Sequence, residues 1–207
     1  MKLILSSCDF SAETSRQCIL DHLPCPMEEC RVLFIPNEKA DLEKIESGKY
    51  HRRLQSYGFL ESNILVFDET HADDFVNLAL DVIYVSGGNT FLTLKKIRAC
   101  GFDAALVSYI EKGVTYIGGS AGAHLVTGDL SHVAHYDPVP SDMENLAGLG
   151  LLDRMLLCHY QPQREEHAKA LIHCFGDRVI LLTDQDSIVV ERTEGGTGDE
   201  RYTLEKG

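Results

Sequence analysis

The sequence predicts a three-layer α/β domain: a mostly parallel, doubly wound sheet with helices on both faces, closed by a C-terminal hairpin. Three observations predict it. Six short apolar runs recur along the chain without polar alternation, as strands buried on both faces of a parallel sheet require. Segments of helical length separate most of them, and strand–helix–strand succession implies right-handed crossovers. Two glycine-rich turns each stand between such a run and a helical stretch. With 207 residues, no internal repeat and no linker, the chain reads as one domain over 1–207.

The elements follow in order. Residues 3–5 (Leu-Ile-Leu) open the sheet, and 32–35 (Val-Leu-Phe-Ile) supply the next strand. Residues 42–54 read as a charged amphipathic helix, 64–67 as a strand, 72–80 as a shorter helix and 82–85 as a strand. Phe91, Leu94 and Ile97 share one face of a helix that stops before Gly101. Residues 114–117 form a buried strand and 123–127 a helical stretch after it. Between 129 and 153 the pattern breaks down around Pro138 and Pro140, and loops of that length in compact domains usually carry function or move. Residues 154–158 are strand-like. A helix over 164–175 carries Ala168, Leu171, Ile172 and Phe175 and ends at Gly176; 179–182 is another buried strand. Short strands at 188–191 and 201–204 flank a glycine-rich turn at 194–198, which predicts a hairpin.

Composition narrows the function classes. Nineteen Lys and Arg against 32 Asp and Glu leave a net charge of −13. Duplex nucleic acid and anionic membranes both reward basic surface, so neither is an expected partner. No apolar run approaches the roughly 18 residues that span a bilayer, and the N-terminal stretch turns polar too soon for a secretory signal. The seven cysteines are odd in number and form no C-x-x-C, so they read as free thiols in a reducing compartment. The expectation is a cytoplasmic protein, monomer or homodimer, that needs no cofactor.

Chemistry concentrates in Gly118-Gly119-Ser120-Ala121-Gly122, a G-x-S-x-G between a buried strand and a helix. That is the context of a nucleophile elbow, whose sharp turn demands small neighbours around a strained serine. The helix start behind it favours a developing anion and offers the Ala121 N–H. A dinucleotide fingerprint or Walker loop would need other glycine spacings. The second turn, Ser86-Gly87-Gly88-Asn89-Thr90, would share the same crevice; it either adds a backbone N–H beside Ser120 or simply caps the next helix through Asn89 or Thr90.

Nine histidines compete for the role of base. His22, His51 and His71 fall in surface segments. His124 sits on the elbow helix, facing away from the serine; His167 and His173 lie on the helix over 164–175. His159 ends a strand-like run and enters a loop, where a general base belongs. A metal reading is also open, through His132-x-x-His135-x-Asp137 with His124, although the spacing matches no common signature. For the carboxylate that orients the base, Asp184 follows a strand, Asp186 stands nearby, and Asp137 gives the chain order Ser–Asp–His.

Gly87-Gly88-Asn89-Thr90-Phe91, Gly119-Ser120-Ala121-Gly122-Ala123 and Cys158-His159-Tyr160 resemble the peptidase E (aspartyl dipeptidase) and cyanophycinase family, with Phe34-Ile35-Pro36 and Tyr57-Gly58-Phe59 in register. The resemblance implies a serine peptidase on a flavodoxin-like sandwich related to class I glutamine amidotransferases. It implies Ser120 as nucleophile, His159 as base, Asp184 as the acidic third member, and the backbone of Gly88 and Ala121 as oxyanion donors. Asn89, Asp137 and Arg164 would contact a small peptide substrate, with Arg164 reading a carboxylate. Peptidase E has glutamate where Asp184 stands, tryptophan where Gly119 stands, and a longer loop between its histidine and arginine. The implied activity is an exopeptidase or dipeptidase acting on short peptides, including those with N-terminal aspartate. The alternatives are a cyanophycinase-like hydrolase of β-aspartyl-arginine and a catalytically silent small-molecule-binding relative.

Overall fold

A computed structural model describes residues 1–192 and 200–207 of the chain. In chain order its elements are β1 (Lys2–Ser6), α1 (Glu13–His22), β2 (Val32–Ile35), α2 (Leu42–Glu46), α3 (Lys49–Tyr57), β3 (Ile64–Val66), β4 (Val82–Val85), α4 (Thr90–Ala99) and α5 (Phe102–Glu111). They continue with β5 (Thr115–Gly119), α6 (Ala121–Leu125), β6 (Met155–Leu157), α7 (Glu165–Phe175), β7 (Val179–Leu181), β8 (Ser187–Arg192) and β9 (Glu200–Glu205).

Seven strands form one sheet in the order β3-β2-β4-β5-β1-β8-β9. The first five are mutually parallel, and β8 and β9 close the edge antiparallel. Side chains alternate across a strand, so each apolar run feeds two cores. Leu3, Leu5, Ile83, Val85 and Tyr116 join Leu94, Leu106 and Leu125 from α4, α5 and α6 on one face. Ile4, Phe34, Val82, Tyr84 and Ile117 join Ile19 of α1 and Tyr50 and Leu54 of α3 on the other. Helix layers on both faces explain why these strands tolerate no polar alternation. The parallel register sets Val85 opposite Gly118 and Ser6 opposite Gly119, so the carboxyl ends of β4, β5 and β1 lie side by side.

The structure departs from the sequence reading at four places. The helix expected over 42–54 is two, α2 and α3, because Gly48 takes a left-handed conformation (φ +69) between them and Asp41 caps the first by accepting from the Lys44 N–H. The helix expected over 72–80 is a 3-10 segment, Glu69–Phe75, followed by extended chain. Tyr109 intercepts its backbone: the hydroxyl donates to Phe75 O (2.8 Å) and accepts from Leu78 N (2.6 Å). Residues 179–182 do not join the main sheet; β7 pairs in parallel with β6, covered by Ala168 and Leu171 of α7. Helices α1 and α5 were not foreseen, although Phe102, Leu106, Tyr109 and Ile110 give α5 a buried face at helical spacing.

The expected hairpin strands pair antiparallel, Ile188 with Leu204 and Glu191 with Arg201. The turn expected at 194–198 lies outside the described residues. All seven cysteines are free thiols. Among the described residues, no helix is long and apolar enough to cross a membrane.

Candidate active site

Ser120 ends β5 and begins the turn into α6 with φ +49 and ψ −105, a conformation that a serine adopts only under constraint. Its neighbours impose the constraint. The Ser120 N–H donates to Ser6 O of β1 (2.8 Å), while Ser120 O accepts from the N–H groups of Ala123 (2.9 Å) and His124 (3.0 Å). Gly122 packs so closely on β4 that a Cβ there would overlap the Val85 carbonyl. The elbow is thus bonded to one neighbouring strand and pressed against the other.

His159 follows β6 and is itself held at φ +53. With the ring proton on Nδ1, it donates to Asp184 Oδ1 (2.6 Å), and Nε2 accepts from Ser120 Oγ (2.9 Å). Asp184 is well exposed, yet the His159 hydrogen bond holds its carboxyl below the usual range, with the Cys8 thiol adding to the effect. Asp186 does different work. It accepts from the Thr183 N–H (2.9 Å) and hydroxyl (2.7 Å), and so shapes the turn that carries Asp184. Asp137 is engaged elsewhere: it accepts from Thr90 N (2.8 Å) at the start of α4.

The second glycine turn meets the first. A Cβ built on Gly87 would lie 3.4 Å from Ser120 Cβ, so the two turns share one crevice. Neither the Gly88 nor the Ala121 N–H finds an acceptor among the described residues. Asn89 caps α4 by accepting from Leu92 N (2.8 Å) and donates to Pro138 O (3.0 Å). The capping role weighed for this turn is thus filled by Asn89. Arg164 donates to Cys158 O (2.6 Å), and its guanidinium lies 3.9 Å from the Tyr136 ring centroid, a cation–π contact that holds it near His159.

His124 is buried between the two turns, with Nδ1 3.3 Å from Thr90 Oγ1 and its ring 5.9 Å from that of His132. Burial lowers its pKa to about 3, and His132 is lowered for the same reason. The metal reading through His124, His132, His135 and Asp137 fails on geometry. His132 Nε2 bonds Leu156 O, His135 stacks on His167, and Asp137 caps α4.

Sequence reasoning missed Ser7, Cys8 and Glu38. The Ser7 hydroxyl donates to Leu182 O (3.0 Å) and accepts from the His159 N–H (3.0 Å), tying the histidine to the end of β1. Cys8 lies against Asp184. Glu38 accepts from the Asn89 N–H (2.9 Å) and so fixes the second turn. The polar run Ser6-Ser7-Cys8-Asp9 after an apolar strand was the available signal, since strand carboxyl ends line the crevice of such sheets.

Residues 3–196 match peptidase family S51. The chain belongs to peptidase family S51. It is 28% identical over 172 residues to the uncharacterized peptidase Lmo0363 of Listeria monocytogenes, covering 79% of this chain and 83% of that one. It is 30% identical over 115 residues to peptidase E of Citrobacter koseri, covering 56% and 49% respectively. A solved structure of a candidate peptidase E from Listeria monocytogenes superposes with a TM-score of 0.72 at 22% identity, covering 99% of this chain and 98% of that one. That structure shares the mostly parallel sheet flanked by helices.

Proposed function

We propose that this S51 chain is a serine-type exopeptidase that cleaves short peptides through an acyl-enzyme on Ser120. The observation that carries the reading is the unbroken relay from Ser120 Oγ to His159 Nε2 (2.9 Å) and from His159 Nδ1 to Asp184 Oδ1 (2.6 Å). His159 takes the hydroxyl proton as Ser120 attacks the scissile carbonyl. The Gly88 and Ala121 N–H groups receive the oxyanion, and His159 returns the proton to the leaving amine. Water then enters by the same route in reverse and frees the enzyme. Asp184, 2.6 Å from His159 Nδ1, fixes the imidazole tautomer and stabilises the imidazolium. Arg164 binds a substrate carboxylate, since a guanidinium already oriented by Cys158 O and Tyr136 loses little freedom on doing so. This favours peptides with an N-terminal aspartate, processed in the cytoplasm.

The test is hydrolysis of Asp-Leu, Glu-Leu, Ala-Leu and β-Asp-Arg by wild type, Ser120→Ala and Arg164→Met. The expected result is Asp-Leu cleavage that falls by about 10⁴-fold or more in Ser120→Ala. Arg164→Met raises KM for Asp-Leu by tenfold or more and leaves Ala-Leu nearly unchanged. Turnover of β-Asp-Arg alone replaces the substrate assignment with the cyanophycinase-like one. No cleavage, together with no fluorophosphonate labelling of Ser120, overturns the reading in favour of a binding protein.

A further inference from the structure

Away from the catalytic relay, α1 and β9 bring a second set of chemically distinctive side chains together. Cys18 and His22 stand four residues apart on α1, so both project from one face of the helix. Glu205 of β9 faces them, and a thiol sulfur, an imidazole nitrogen and a carboxylate oxygen from the three all lie within 4.8 Å of one another. His22, which the sequence suggested was a surface bystander, is oriented: its Nδ1 donates to Cys18 O at 2.9 Å. That bond fixes the tautomer and leaves the Nε2 lone pair pointing at Glu205, the arrangement of a metal-ligating histidine whose other nitrogen is held by a backbone carbonyl.

The Cys18 thiol lies within hydrogen-bonding reach of Glu205, whereas the His22–Glu205 distance fits a shared ion better than a direct bond. His22 Nε2 and Glu205 Oε1 are 3.6 Å apart, too long for a good hydrogen bond. Two such ligands around zinc, each about 2.0–2.2 Å from the metal, sit about 3.4 Å apart. The Ser187 hydroxyl, 1% exposed, lies against the Cys18 thiol and closes the inner side of the cluster. A cavity of about 200 Å³ opens onto Cys18 and Glu205 and has room for a water as fourth ligand.

We propose that Cys18, His22 and Glu205 form a binding site for zinc or another thiophilic divalent cation that fastens β9 to α1. Binding replaces the thiol proton of Cys18, which leaves to solvent, by a metal–sulfur bond; no electron transfer is involved. The ion would also brace the turn that carries Asp184, since Thr14 of the same helix already donates to Gln185 O (2.8 Å). Thiolate, imidazole and carboxylate together suit zinc rather than calcium or magnesium, which prefer oxygen ligands throughout.

The proposal is independent of the catalytic reading and is tested without an activity assay. The whole chain, stripped with chelator, is titrated with Co²⁺ as a spectroscopic stand-in and then with Zn²⁺. One equivalent of Co²⁺ gives a thiolate-to-cobalt charge-transfer band with tetrahedral d–d absorption, and Zn²⁺ displaces it. At a hundredfold excess over its dissociation constant, Zn²⁺ raises Tm by about 5–10 °C. Cys18→Ser abolishes the charge-transfer band. Glu205→Gln, at a partly exposed position that should not disturb folding, weakens binding tenfold or more.

Cys8→Ser serves as the control, because Cys8, His159 and Asp184 also lie within ligating reach of one another. Under the proposal it leaves the band intact. A band lost in Cys8→Ser and kept in Cys18→Ser, an oxygen-only cobalt spectrum, or no binding below millimolar metal each overturns the site.

Discussion

The two glycine turns of this chain look alike in sequence and are built in opposite ways. Each follows a buried strand and precedes a helix, yet the 118–122 turn leaves its serine strained and uncapped, while the 87–89 turn satisfies its helix with side chains. At the elbow, Ser120 makes no capping bond to α6 and sits at φ +49, gripped by backbone on both sides. At the other turn, Asn89 caps α4 in extended conformation, Asp137 takes the Thr90 N–H, and Glu38 takes the Asn89 N–H. A helix start whose N–H groups are mostly taken up by side chains and backbone has little left to offer a reaction. One that is left unsatisfied, and held there by packing, keeps a hydroxyl and an N–H available.

The sharpest way to break this contrast is Gly122→Ala, where the new methyl meets the Val85 carbonyl. We expect about 3 kcal/mol or more of destabilisation, seen as a Tm lower by about 6–12 °C, with loss of fluorophosphonate labelling at Ser120.

Next in size is the joint between the turns, where His124 of the elbow helix meets Thr90 of the other. His124 stays neutral in the folded state down to pH about 3, whereas the unfolded chain takes up its proton near pH 6.5. The unfolded state therefore binds more protons across that window. Its stabilising effect is complete above pH 6.5 and declines as the pH falls towards 3. Denaturant midpoints measured from pH 7 to 5 should fall less steeply in His124→Leu than in wild type, by up to about 1.4 kcal/mol per pH unit. Parallel slopes would mean that this histidine is charged or exposed when folded.

A smaller effect is expected at the satisfied turn. Asn89→Ala removes one cap and should cost about 1 kcal/mol, or about 2–4 °C in Tm, while Ser120 keeps its reactivity. The smallest concerns Gly87, where an added Cβ finds only ordinary contacts at 3.4 Å and beyond. Gly87→Ala should leave stability within about 0.5 kcal/mol and lower kcat several-fold by crowding the oxyanion. Equal stability losses in Gly87→Ala and Gly122→Ala would erase the distinction between the turns.

Local pattern made much of this architecture legible. Apolar runs at 3–5, 32–35 and 82–85 could only be strands covered on both faces, and glycines around Ser120 could only serve a tight strand-to-helix turn. Those features are written in adjacent residues, where sterics and burial act at short range. His159 and Asp184 were legible as strand-end positions, because the carboxyl ends of a parallel sheet converge whatever the intervening chain.

Other features needed the folded chain. The break between α2 and α3 turned on one left-handed glycine. The 3-10 segment at 69–75 turned on a hydroxyl from Tyr109, 34 residues beyond Phe75. The choice of Asp184 over Asp186 depended on which carboxylate the 183–186 turn consumed for itself. Ser7 bracing His159 across 152 residues, and Cys18, His22 and Glu205 meeting at one corner, carry no sequence signature at all. The sequence by itself determined what each segment buries and where its backbone can turn, because those are contests between neighbours. Tertiary structure alone decided which polar groups meet, because hydrogen bonds and ligand sets are closed by residues that only the packed sheet brings within 3 or 4 Å.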